Sequence, residues 1–332
     1  MGTDHPALAR GRAGNRRATT ERSIAATLGA TLLVLVLLPA CARVDRVADD
    51  PASGPGGAAG PSSGEIDLPA QDVDRWVMPV DEFVPHDISV TDYAENLLVQ
   101  ECMAESGYVW EVPWVDVDAP PPVTTNEVGR TLFDGDLAAA WGYLSAPDAR
   151  ADLAGQAELN ARAGTPEEDE QNAACLDAVR ADALPLPSSG SRNLASSLGM
   201  AADRAARLDP AVLAAAEEWR ACMEPLGVSD LPRDPQEMPS ESLRAEFGRV
   251  PRAADGAGLD ALPVAGPREI EVAVADARCR DTSGWRTTRY QAEWERQVTA
   301  VAENADALVR AREESDAHLA TARAVVVSRG LG

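Results

Sequence analysis

Four cysteines, placed in two echoing phrases, constrain this chain more than any other feature. Cys-Met-x-x-x-Gly occurs at 102–107 and again at 222–227, and each copy is followed by Ala-x-Cys-x-Asp, at 173–177 and at 277–281. The order first phrase, second phrase, first phrase, second phrase is that of a duplicated unit. Four cysteines allow three pairings. The duplication selects one of them, in which each half is closed on itself by Cys102 to Cys175 and by Cys222 to Cys279. Loops of that size contribute about 4 kcal/mol each in the chain-entropy view. With fourteen aromatic residues in 332, the chain has few large side chains for a core, so covalent closure matters.

The phrase has its own physics. A cysteine in the last helical turns faces inward, the adaptable methionine fills the space beside it, and glycine takes the left-handed conformation that ends the helix. Pro225 interrupts the second copy and removes an N–H from the last turn, which predicts a helix end near Met223.

Disulfides require an oxidising compartment, and the N-terminus supplies the route to one. Arg10, Arg12, Arg16, Arg17 and Arg22 precede an apolar run from Ser23 to Ala40 that stops at Cys41, the layout of a signal peptide. The exit Leu38-Pro39-Ala40-Cys41 resembles the bacterial lipobox, in which the cysteine thiol takes a diacylglyceryl group before cleavage. That resemblance implies lipidation at Cys41, a signal peptide over 1–40, and a place on the outer face of the cell membrane. An uncleaved anchor is the competing reading, since eighteen apolar-type residues just reach across a bilayer. Residues 41–66 are rich in Pro, Gly, Ser and Ala and too poor in apolar side chains to build a core. They read as a tether with a reach of about 25–30 Å.

Charge narrows the partners. The net charge is −24, and loss of the leader leaves 25 basic groups against 52 acidic ones. Nucleic acid and other polyanions are repelled at long range unless a local basic patch intervenes. Every one of the thirty basic residues is arginine, a codon bias expected of a GC-rich genome.

The remainder reads as mainly α, a disulfide-stapled helical domain with two related halves and at most minor β structure. The halves are placed at 67–184 and 185–283, and a long C-terminal helix at 284–332. Thr165-Pro166-Glu167-Glu168 is a capping box, and Asp209-Pro210 pairs an N-cap with proline at the first helical position. Leu98, Val99, Cys102 and Met103 mark a helix from about Asp92 to Ser106, and Pro267 opens another that carries Val272, Ala275 and Cys279. From Trp285 to Ser328 no proline occurs, and Trp294, Val298, Val301, Ala305, Leu308, Leu319, Ala322 and Val326 keep a three-four spacing. A helix of about 60 Å must project or bend, and the seam is interrupted at Arg312 and Ser315. Packing back along its own domain is favoured over coiled-coil pairing, because the seam is broken and rich in alanine.

The span from 92 to 300 also resembles uncharacterised lipoproteins of actinobacteria, in which a Cys-Met-x-x-x-Gly-aromatic phrase precedes a segment like Val272 to Arg280. Here Tyr108 is the aromatic of the first copy, while Val228 departs from the pattern in the second. The resemblance implies a place in the envelope and brings no activity with it.

Chemistry is sparse. The chain lacks a Gly-x-Ser-x-Gly elbow, a His-Glu-x-x-His helix and a phosphate-cradling glycine loop, and no cofactor is called for. A Cys-Met soft-metal site is disfavoured because adjacent residues on a helix diverge. Only His5, His86 and His318 are on hand as nitrogen ligands. Asp134 with Asp136, and Asp116 with Asp118, read as solvated turn residues in preference to calcium ligands. Tyr108, Trp110 and Trp114 are the candidate binding face: on an extended strand all three share one side, as in a stacking platform, against the simpler reading that they cover the core. The function expected is a non-catalytic binding or adaptor protein of the envelope with a protein partner, or alternatively a solute-binding or sensory lipoprotein. An envelope hydrolase ranks third.

Overall fold

The computed structural model describes residues 66–85, 88–150, 152, 155, 164–249 and 264–330, all within one compact unit. The expected signal peptide, Cys41, the tether and His86 lie outside the described residues. The described chain is mainly helical, with two isolated β-bridges, Asp72 with Val77 and Thr125 with Thr131. The helices are α1 (Ile88–Glu105), α2 (Gly135–Trp141), α3 (Pro166–Ala178), α4 (Ser189–Arg207), α5 (Pro210–Met223), α6 (Glu241–Glu246), α7 (Pro267–Thr282), α8 (Trp285–Glu303) and α9 (Ala305–Ser328).

Local chemistry sets most of the boundaries. Thr165 closes its capping box onto α3, with Glu168 N–H donating to Thr165 Oγ1 at 3.2 Å and Thr165 N–H to Glu168 Oε2 at 2.9 Å. Asp209 caps α5 by accepting from Ala211 N–H at 2.9 Å, and Pro267 opens α7. The end of α1 explains the doubled phrase. Gly107 has φ +86°, its N–H donates to Ala104 O, and Tyr108 N–H reaches back to Met103 O at 2.9 Å. This is a Schellman motif, in which the residue after the glycine packs on the residue that accepts its N–H. Met103, Gly107 and Tyr108 therefore have fixed roles. In the second copy α5 stops at Met223 and a 3-10 turn, Glu224–Leu226, leads to Gly227 at φ +67°, because Pro225 has no N–H to continue the ladder.

Both disulfides join the expected partners, Cys102 to Cys175 and Cys222 to Cys279, with Cα–Cα distances of 5.7 and 5.6 Å. The first ties α1 to α3 and the second ties α5 to α7. The two staples differ in setting. Cys175 is buried among Val90, Met103 and Ala322, whereas Cys222 is exposed and only Cys279 is buried.

The C-terminal segment packs back on the domain. α8 lies along α4 and α5, and α9 lies along α1 and α4. Its break falls at Asn304, not at Arg312: Asn304 has φ −121° and ψ 17°, its N–H donates to Val301 O, and its side chain caps Ala300 O at 2.8 Å. Arg312 stays helical, half-exposed and paired with Glu82. The bend lets α8 cover Ala206, Val212 and Ala216 of the second half while Ala322 and Val326 of α9 complete the core around Met103.

Candidate functional site

The predicted aromatic face does not form as one surface. Tyr108, Trp110 and Val112 alternate inward against the first core cluster, with Val109 and Glu111 outward. Pro113 shifts the phase. Beyond it Val115 and Val117 turn inward, and Trp114, 53 % exposed, points to solvent. Backbone pairing fixes this geometry, since Asp116 N–H donates to Arg150 O and Asp152 N–H to Trp114 O. Tyr108 and Trp110 are core cover, and Trp114 stands apart from them. The segment makes separate hydrogen-bond contacts with its neighbours, among them Val112 N–H to Gln100 Oε1 at 2.9 Å, and no extended ladder among the described residues, a proline at its centre removing a donor.

Of the other candidates, Asp134 caps α2 by accepting from Leu137 N–H at 2.8 Å, and Asp116 Oδ1 accepts from Asp118 N–H at 3.1 Å. Both are turn chemistry. His318 is half-buried, with Nδ1 3.0 Å from Pro185 O. Among the described residues no cluster of three or more His, Cys, Asp or Glu has metal-binding geometry, and no helix is long and apolar enough to cross a membrane.

The site that the structure does assemble lies where α7 and α8 meet the loops at 72–77 and 124–133. Arg280, on the last turn of α7, sets its guanidinium 4.4 Å from the centre of the Phe133 ring and 5.4 Å from that of Trp285. Arg289, one turn into α8, sits 4.9 Å from Trp76 and 5.5 Å from Trp285. The contacts continue at both ends, from Phe133 to Tyr143 and from Trp76 to Tyr290 and Trp294. Cations over ring faces are attracted by the ring quadrupole, most strongly when desolvated. Arg280 and Arg289 are 8 % and 3 % exposed.

Carboxylates hold these cations in place. Asp276, fully buried, takes a two-point bond from Arg280, Nε to Oδ1 at 2.8 Å and Nη2 to Oδ2 at 2.7 Å. The same carboxylate accepts from Trp219 Nε1 at 2.8 Å and Tyr143 Oη at 3.1 Å. Glu293, also fully buried, accepts from Trp76 Nε1 at 3.2 Å, Arg130 Nη1 at 3.3 Å and Gln297 Nε2 at 2.9 Å. Asp203 joins Arg289 to Arg207 and so ties α4 to α8. Planar forks of this kind fix geometry as well as charge. Burial pushes the Glu293 carboxyl above its ordinary range in spite of Arg289 and Arg130 beside it. Burial, with Asp276 adjoining, likewise drives the Tyr143 phenol far upward.

A cleft of about 310 Å³ opens over this array, with Trp76, Arg130, Asp203, Arg280, Arg286 and Arg289 in its wall. A second of about 250 Å³ shares Phe133, Gln236 and Arg280 with it. Neither Arg280 Nη1 nor Arg289 Nη1 makes a hydrogen bond among the described residues, and Arg289 Nε is buried without an acceptor. Tyr108, Trp110 and Trp114 line neither cleft. Another cleft, of about 390 Å³, is mainly apolar and runs between the start of α4 and the middle of α9, with Phe83, Leu186 and Leu319 in its wall.

Sequence reasoning missed this constellation because charged residues are ordinarily placed at the surface. A signal was present: Trp285, Arg289, Glu293, Gln297 and Val301 recur every fourth residue, which puts three polar side chains on the buried face of one helix. Compared with protein-family models, curated proteins and solved structures, the chain matches none.

Proposed function

We propose that the protein is a lipid-tethered, extracytoplasmic binding protein of the cell envelope that performs no catalysis, and that its binding site is the arginine-lined cleft beside Trp76 and Trp285. The observation that carries the reading is the pair of largely buried guanidinium groups, Arg280 and Arg289, each with Nη1 uncommitted among the described residues, on the wall of a cleft. Guanidinium nitrogens left without a protein acceptor on a cleft wall are suited to a ligand that supplies one in a charge-assisted bond. The carboxylates nearby are already bound to arginine, tryptophan or tyrosine, which favours holding over proton transfer. Two disulfides fit an oxidising compartment, and the lipobox-like exit at Cys41 fits a membrane tether.

The adaptor reading differs in what is bound. On α9 the exposed Val309 and Val327 lie on one face, but Glu313 and Asp316 stand between them, so that face offers no continuous apolar stripe to a partner helix. Fractionation of cells expressing wild type and Cys41→Ala, followed by crosslinking and recovery of the protein, tests the proposal. Release of the variant from membranes, with the wild type recovered without a stoichiometric protein partner, is expected. Retention of the variant in the membrane would overturn the tether, and one envelope protein recovered in near-equal amount would make the chain an adaptor.

A further inference from the structure

The cleft also limits the chemistry of its ligand, on the basis of the binding function just proposed. Its wall carries four guanidinium groups, from Arg130, Arg280, Arg286 and Arg289, and two carboxylates, Asp74 and Asp203. The arginines are already balanced. Arg130 pairs with Asp81 and Glu293, Arg280 with Asp276, Arg286 with Asp74 and Asp281, and Arg289 with Asp203 and Glu293. Six carboxylates thus face four guanidinium groups, inside a chain whose net charge is −24. A polyanion entering the cleft meets repulsion at long range and a local excess of negative charge.

Individual donors remain open all the same. Arg280 Nη1 and Arg289 Nη1 lack acceptors among the described residues, and an oxygen acceptor, best a carboxylate, satisfies them with charge-assisted bonds. The ligand must therefore bring a carboxylate without adding net negative charge. Asp74 supplies the complement: its side chain is 78 % exposed at the rim, 3.1 Å from Arg286. Burial orders the two ends, with the Arg280 and Arg289 guanidinium groups inside and the Asp74 carboxylate outside.

We infer that this cleft binds a small zwitterion, an α-amino acid or short peptide, with its carboxylate taken by the buried guanidinium groups and its ammonium by Asp74. A volume of about 310 Å³ suits a molecule of that class, and Trp76, Phe133 and Trp285 supply apolar wall for its aliphatic part. Gln236, shared with the adjoining cleft, provides an amide at the point where a peptide longer than one residue would extend.

Calorimetric titration of the intact protein with L-alanine, L-alanyl-L-alanine, acetate, methylamine and inorganic phosphate tests the assignment. Binding of alanine or the dipeptide at one site, with acetate, methylamine and phosphate each at least about tenfold weaker, is expected, since one charge-assisted bond is worth that factor. Asp74→Asn, at an exposed position, should weaken alanine by about tenfold and leave acetate unchanged. Arg286→Gln should weaken alanine without moving the thermal midpoint by more than a degree or two, and Trp114→Ala should change nothing. Phosphate or acetate binding as tightly as alanine would overturn the zwitterion class, as would the absence of heat from every probe. If none binds while Cys41→Ala is released from the membrane, the ligand assignment falls and the tethered binding protein stands. If the variant stays in the membrane while alanine binds, the reverse holds.

Discussion

Removing one staple at a time should cost several kcal/mol, and unequally. The closed loops span 73 and 57 residues, for which the chain-entropy relation gives about 4.4 and about 4.2 kcal/mol at 25 °C. The native-state surroundings then separate them. Cys102→Ala/Cys175→Ala takes sulfur out of a core where Cys175 is fully buried against Met103 and Ala322, adding about 1 kcal/mol for the cavity. Cys222→Ala/Cys279→Ala leaves less of a gap, because Cys222 faces solvent. Urea unfolding followed by circular dichroism and tryptophan fluorescence, with slopes compared to check that the transition stays two-state, should give losses of about 5 and about 4 kcal/mol. The loops do not overlap in sequence, so the two losses should add to within about 1 kcal/mol. Exposure also sets the order of reduction: a limiting thiol reductant should open Cys222–Cys279 first, as read by peptide mapping. A loss below about 1 kcal/mol for either pair, or a crossed linkage in the non-reduced map, would refute the reasoning.

Three further perturbations test the network and its surroundings. Gly142 sits at φ +62°, and a Cβ there would lie 2.9 Å from Glu269 Oε1, so Gly142→Ala should cost about 2–3 kcal/mol in chemical denaturation; a neutral result would show that the α2 to α7 contact yields freely. Asp276→Asn withdraws the charge that Arg280 forks onto and leaves that guanidinium without its buried counter-ion, for an expected loss of about 3–5 kcal/mol, and an unchanged midpoint would contradict the pairing. Glu293 is raised above its ordinary value of 4.5 by burial, so the folded state binds more protons than the unfolded chain just above that pH. Its contribution therefore declines as pH rises through that window. Glu293→Gln should flatten the fall in stability on raising pH from about 4.5, and a parallel pair of pH profiles would show that Glu293 titrates in the folded protein as it does unfolded.

What was legible in the sequence was local. Thr165 with Glu168, Asp209 with Pro210, Pro267 and Gly107 each fix a helix end through one or two hydrogen bonds to near neighbours, and Pro225 shortens α5 by removing a donor within its own turn. The disulfide pairing was legible as well, because the duplicated phrases break the symmetry among the three possible connections. The bend at Asn304 was not, since the residue has no proline or glycine beside it. Its cause is tertiary, with Trp285 and Ala292 before it packing on Ala206 and Val212, and Ala322 and Val326 after it packing on the cluster around Met103. The aromatic segment misled because strand alternation was carried across Pro113, where the phase changes. The cleft was hidden for a different reason. Asp276, Arg280, Arg289, Glu293 and Gln297 are residue types that sequence reasoning assigns to solvent, and only their partners on distant segments, Trp76, Arg130, Phe133 and Asp203, make burial tolerable. The four-residue spacing of Arg289, Glu293 and Gln297 marks one helix face, but nothing in it points to the partners across the chain.

The indole N–H signals of the seven tryptophans report the location of the binding site directly. With ¹⁵N-labelled tryptophan and stepwise addition of L-alanine, the Trp76 and Trp285 signals, assigned by Trp76→Phe and Trp285→Phe, should move together and saturate at one equivalent, while Trp114 and Trp110 hold still. Movement of the Trp110 and Trp114 signals with Trp76 and Trp285 unchanged would place the ligand on the extended segment and contradict the arginine-lined cleft as the site.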